Sequence, residues 1–127
     1  MKYRLDLTEY AVTIKSPERK PVDGQTPERI EHTVPYPLRD NVSGWLRTVG
    51  VFKTAEDVAE AVTLAKRILA CSETAIELDQ REAGILKAAL DRFIEWTAEG
   101  RANVGGEIHE EAILRVVNME KIDGGTK

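Results

Sequence analysis

The chain reads as an α+β protein: a small N-terminal antiparallel β-hairpin or sheet packed against a cluster of about four helices. Three observations predict this. Apolar residues alternate at every second position near the N-terminus and again over 30–34, the period of a half-buried strand. From Leu38 onward the apolar spacing lengthens to three and four, the period of a helix. Asp79 stands three residues ahead of Glu82 at the head of an apolar run, the capping-box signature of a helix start.

The strands come first. Tyr3, Leu5 and Leu7 are apolar at odd positions, whereas Tyr10, Val12 and Ile14 are apolar at even ones. A phase slip at Thr8-Glu9 therefore predicts a long bulged strand, or two short strands meeting at a bend. Ile30, His32 and Val34 resume the alternation and predict an antiparallel partner, which Pro35 and Pro37 terminate because proline cannot donate to a ladder. Between them, Ser16 to Glu28 holds three prolines, an Asp-Gly pair and almost no apolar residue, which makes it a loop. Its echo, Ser16-Pro-Glu-Arg19 and Thr26-Pro-Glu-Arg29, reads as two turn-starting boxes.

Helix one starts near Pro37 or Leu38, with Leu38, Val42, Trp45, Leu46 and Val49 on one face and Gly50 as its stop. Helix two is capped by Thr54, carries Glu56 and Asp57 in its positive first turn, and faces inward with Val58, Ala61, Val62, Ala65, Ile68 and Leu69. Ile76-Glu-Leu78 offers a third strand. Helix three then carries Ala83, Leu86, Leu90, Phe93, Ile94 and Thr97, widened by Ile85, Ala89 and Trp96, and is the centre of the core. Gly84 and Ala88, one turn apart, predict the close approach of a neighbouring backbone. A last helix spans about 107–119, giving a single domain over 1–122 and a disordered tail over 123–127.

Composition excludes several classes of function. A chain of 127 residues with 42% hydrophobic and 31% charged residues buries one core without disulfides or metals as staples. No apolar stretch approaches the roughly 20 residues of a membrane span, and the charged start, Met-Lys-Tyr-Arg-Leu-Asp, lacks a signal-peptide core, so the expected location is cytoplasmic. The lone Cys71 reads as a small buried or half-buried hydrophobe. Residues 1–37 are charge-balanced, 38–53 slightly basic, and the acidic excess follows. Without a clustered basic face, nucleic acid is not the expected partner.

Chemistry-bearing residues are few. His32 shares the apolar side of its strand and reads as a core-edge residue. His109-Glu110-Glu111 opens the last helix, where neighbours diverge by about 100° and do not converge on a metal; acids there suit the helix dipole. Phosphate-loop and nucleophile-elbow motifs are absent. The sequence thus predicts no catalytic residues, no metal and no cofactor. The competing motif is a helix-turn-helix-like corner at 38–70, the basis of an alternative reading as a nucleic-acid-associated regulator. Its second helix opens with three carboxylates, which would face phosphates.

The stretch from Tyr36-Pro-Leu-Arg-Asp-Asn41 through Ile76-Glu-Leu-Asp79 into helix three resembles, in size and layout, the small accessory proteins of bacteriophages and prophages. That resemblance implies a non-enzymatic protein acting through contacts with phage or host proteins. The residues lead to the same expectation: a protein-interaction module, a homodimer through helix three or four, and a partner-binding loop presenting Glu18, Arg19, Lys20 and Asp23.

Overall fold

The two phases of the N-terminal alternation belong to two different sheets. In the computed structural model, which describes residues 2–15, 31–104 and 106–122, β1 (Lys2–Asp6) and β2 (Ala11–Lys15) are separate strands. The chain turns between them: the Thr8 N–H donates to Asp6 Oδ1 at 2.8 Å, the local side-chain bond by which aspartate starts a turn. Of the two sequence expectations, the bend is the one realised. The loop over 16–28 and the tail over 123–127 lie outside the described residues.

β1 is the middle strand of a three-stranded antiparallel sheet, flanked by β4 (Ala75–Asp79) and β5 (Glu120–Ile122). Leu5 lies opposite Ile76, Tyr3 opposite Leu78, and Arg4 opposite Glu120. β2 pairs instead with β3 (Glu31–Pro35), with Val12 opposite Val34 and Ile14 opposite His32. The strand over 31–35 therefore partners only the second half of the alternating segment. β5 has no counterpart in the sequence reading, because three residues with two charges carry no periodic signal.

Four helices surround the sheet among the described residues: α1 (Leu38–Arg47), α2 (Ala55–Ala70), α3 (Gln80–Ala98) and α4 (Gly106–Val117). Thr54 caps α2 by accepting from the Asp57 N–H at 3.1 Å. The capping box of α3 is complete, Asp79 Oδ1 accepting from Glu82 N–H at 2.7 Å and Glu82 Oε1 from Asp79 N–H at 3.0 Å. Gly50 and Gly100 take φ values of 91° and 77°, which only glycine adopts without strain; Gly100 closes α3, whereas α1 ends earlier, at an extended Thr48, and Gly50 lies in the Thr48–Val51 turn beyond it.

The core gathers around α3, which packs on α1, α2, α4, β1 and β4. Ala83, Leu86, Ala89 and Leu90 are buried against Leu5, Leu78, Leu46, Leu64, Ile68 and Val116, all members of the same apolar cluster. Several face assignments shift once the helices meet. Val49 lies beyond the last turn of α1 and is 95% exposed; Val51 fills the buried position instead. α2 is rotated so that Leu64 is buried while Val58 and Leu69 stand out to solvent. Ile94 is likewise exposed, and no group of another element approaches Gly84, so α3 shows no close backbone neighbour there.

Leu90 is 1% exposed at the centre of this cluster, and Ile94 is 39% exposed one turn later. Leu90→Ala is expected to cost roughly 2–5 kcal/mol through lost burial and a residual cavity. Ile94→Ala should cost less than half of that. Urea unfolding of the two variants checks the placement, and equal costs would refute it.

Candidate functional site

A two-stranded ribbon is marginal in water by itself, so the β2–β3 ribbon needs an anchor. It finds one where the chain enters and leaves it. Tyr10 and Tyr36 lie just beyond the paired strands, joined by the Tyr36 N–H donating to Tyr10 O at 2.9 Å. Their rings stack at 5.1 Å with planes 12° apart. Helix α4 meets this pair with two residues six apart, His109 and Arg115. The Tyr36 hydroxyl and His109 Nδ1 share a hydrogen bond of 2.7 Å, the rings meeting edge to face. One face further along α4, the Arg115 guanidinium lies 4.6 Å from the centre of the Tyr10 ring.

Arg115 also holds the bend that leads into the ribbon. Its guanidinium donates to Thr8 O at 2.6 Å and to Asp6 O at 3.3 Å, and to Glu111 Oε2 at 2.7 Å, with the Asp6 carboxylate 3.7 Å away. The side chain is only 11% exposed. Planar, permanently charged and rich in donors, arginine suits such a node better than lysine.

Burial sets the protonation of the cluster. It lowers the His109 pKa below its ordinary value, keeping the imidazole neutral and its Nδ1 able to accept from the Tyr36 phenol. Burial raises Tyr36, against the opposing effect of the Asn41 side chain. It pushes Tyr10 up to about 12, aided by Tyr36 and opposed by Arg115. Asp6 is held below the usual carboxylate range, first by its hydrogen bonds from Thr8 and then by Arg115. Neutral rings on a fixed arginine make a mechanical join. A cleft of about 350 Å³ beside it is lined by Glu9, Tyr10, Tyr36, Pro37, Arg39 and Leu69. Arg39 sends one guanidinium nitrogen to Glu73 O at 2.7 Å, and its Nε is buried without a hydrogen bond.

The predicted partner-binding residues Glu18, Arg19, Lys20 and Asp23 lie outside the described residues, on the segment that joins β2 to β3. His32 is exposed, not at a core edge. His109 is half-buried and belongs to the join, a role sequence spacing could not reveal because its partner is 73 residues away. Glu111, assigned to the dipole from sequence, is a ligand of Arg115. Among the described residues no three His, Cys, Asp or Glu side chains come together as a metal would require, and no helix is long and apolar enough to cross a membrane. In the helix-turn-helix-like corner, Glu56, Asp57 and Glu60 of α2 are all engaged by Arg81 of α3. That half of α2 presents bound carboxylates.

The lowered His109 pKa has a definite sign. Protonation favours the unfolded chain, so stability present above the ordinary value of 6.5 falls as pH drops through it, levelling off below the folded value. Wild type is expected to lose more stability than His109→Gln between about pH 7.5 and 5.5. Tyr36→Phe, which removes the bonded hydroxyl, should cost about 1 kcal/mol at neutral pH. Parallel pH profiles for wild type and His109→Gln would show that the imidazole is not desolvated.

Comparison with protein families, with curated proteins and with solved structures finds no match, so the functional reading rests on the chain's own residues.

Proposed function

We propose that the chain is a non-enzymatic protein-interaction module of the cytoplasm, of the phage- and prophage-accessory kind that its layout resembles. The observation that carries this reading is the separateness of the ribbon. β2 and β3 form their own sheet, hydrogen-bonded to no strand of the β4-β1-β5 sheet, and join the body through the Tyr10–Tyr36–His109–Arg115 contacts at their base. Within the ribbon strands, Val12 packs against the core while Ala11, Thr13 and Thr33 are exposed. The ribbon's connecting segment carries Glu18, Arg19, Lys20 and Asp23, a mixed-charge set suited to a protein surface. In the join the Tyr36 hydroxyl is taken by His109 and the Arg115 guanidinium by Glu111 and Thr8, an arrangement that suits a mechanical role. The nucleic-acid reading gains nothing from α2, whose opening carboxylates are tied to Arg81.

Replacing residues 17–27 by a short glycine-containing turn is expected to leave the thermal midpoint within a few degrees, since closure entropy changes slowly with loop length. The same change should abolish the capture of proteins that the intact chain enriches from a native host extract. Identical sets of captured proteins for the two baits would end this reading of the ribbon. An unfolded shortened chain would instead make the segment a structural one.

A further inference from the structure

The chain has several sheet edges, and they are not equally protected. Leu7 N–H donates to Thr74 O at 2.8 Å, which fixes the alternation of β4: Ile76 and Leu78 bond toward β1, and the carbonyls of Ala75 and Glu77 face outward. Both outward carbonyls are covered, Ala75 O by Cys71 Sγ at 3.7 Å and Glu77 O by Arg67 at 3.1 Å. β5 is three residues long and carries Glu120 and Lys121. In the ribbon, Tyr36 N–H donates to Tyr10 O, so Val12 and Val34 bond across the ladder while Ala11, Thr13, Thr33 and Pro35 face outward. On β3 one of those outward positions is proline, which has no N–H to offer. β2 has neither a proline nor, between Ala11 and Ile14, a charge, and Lys15 ends it. Ala11 and Thr13 are exposed, and no backbone bond outside the ladder takes their outward groups among the described residues.

An open edge of β-branched residues is a template for another strand. We infer that the outer edge of β2 pairs antiparallel with β2 of a second copy of this chain, joining the two ribbons into a four-stranded sheet. This inference deepens the reading of the ribbon as an interaction arm, and rests on it for the arm's role. The sequence of the strand identifies the occupant. About a two-fold axis at Thr13, Thr13 faces its own copy, and Ala11 faces Lys15 of the second copy across outward-directed backbone groups. Val12 then faces Ile14 of the second copy on the same side as Tyr10 and Tyr36, where both are half-buried in one copy alone. Threonine pairs and paired β-branched residues are favourable cross-strand neighbours. Glu9 and Lys15 bracket the strand, so the antiparallel arrangement brings opposite charges to each end, whereas a parallel one would align like charges. Helix α4 meets the ribbon at Tyr10 and Tyr36 and also contacts β2.

The test is the oligomeric state of the full chain, by sedimentation equilibrium over a wide concentration range. Wild type is expected to dimerise. Thr13→Pro removes only an outward N–H, because Thr13 and Thr33 do not bond to each other across the ladder, and should weaken dimerisation on the order of tenfold or more. A wild type that stays monomeric, or a Thr13→Pro chain that dimerises as tightly, overturns the inference. Should Thr13→Pro fail to fold, Thr13→Lys and Thr13→Glu serve instead. Each alone places like charges across the axis and should be monomeric, and their equimolar mixture should form a heterodimer. Dimers of either alone, or no heterodimer on mixing, again overturn it. The chain shortened at 17–27 keeps the β2 edge and should still dimerise. Monomeric wild type with loop-dependent capture removes the second copy alone; a dimer with loop-independent capture removes the loop's role alone.

Discussion

Arg115 is the residue on which the arrangement of the two sheets depends. One guanidinium gathers the carbonyls of Asp6 and Thr8, the carboxylate of Glu111 and the ring of Tyr10. The carbonyls belong to the bend where the chain leaves one sheet for the other, and would otherwise need partners of their own. Because the arginine is nearly buried, its charge must be matched by these same groups. The constraint is mutual: the bend needs a donor with several N–H groups, and the buried cation needs the acceptors that the bend supplies. Helix α4 is thereby fixed against the start of the chain, and β5, which follows it, is delivered beside β1.

The same node makes the ribbon's order a borrowed property. Val12, Val34 and Ile14 are only half-buried, so the ribbon has little apolar burial of its own. What orders it is the ring stack at its base and the two α4 contacts, one charged and one a neutral hydrogen bond. Local opening of the ribbon therefore needs loss of the α4 contacts and not of the α3 core, which places it toward the less stable end of the molecule. Segments with that property are the ones available for recognition, since ordering them on binding costs little of the global stability.

The legible parts of the sequence were those whose signal is local. The α3 capping box, the Thr54 cap, the Gly100 stop and the strand at 76–78 all follow from residues a few positions apart, and the structure has each of them. The broad apolar stripe of α3 likewise marked it as central, since only a helix with neighbours on several sides needs one. Faces were legible only to within part of a turn. In α2 the stripe placed Val58 and Leu69 inward and passed over Leu64, whereas the packed helix buries Leu64 and exposes the other two. The join at the ribbon base was not legible at all. Its pairs are 73 and 107 residues apart, and tyrosine, histidine and arginine have no periodicity that would connect them. The split of the N-terminal segment was half legible: the phase slip marked a break, but only the Thr8–Asp6 turn and Arg115 make it a change of sheet.

Arg81 shows how the acidic half of the chain is reconciled with a stable body. Three carboxylates in the first turns of α2 suit the positive end of that helix, yet their mutual repulsion grows with their number. Arg81, on the first turn of α3, meets all three, while Arg67 at the other end of α2 reaches back to Glu82 of the α3 capping box. Both ties fall on adjacent residues in the first turn of α3, one reaching the start of α2 and one its last turn, while Leu64, Ile68 and Leu86 are buried. Exposed pairs of this kind contribute little to stability individually. The pairing accompanies the face that α2 turns toward α3. That turn buries Leu64 and leaves Val58 and Leu69 exposed. The charge pattern that argues against a nucleic-acid surface at this corner also accompanies the orientation of the helix.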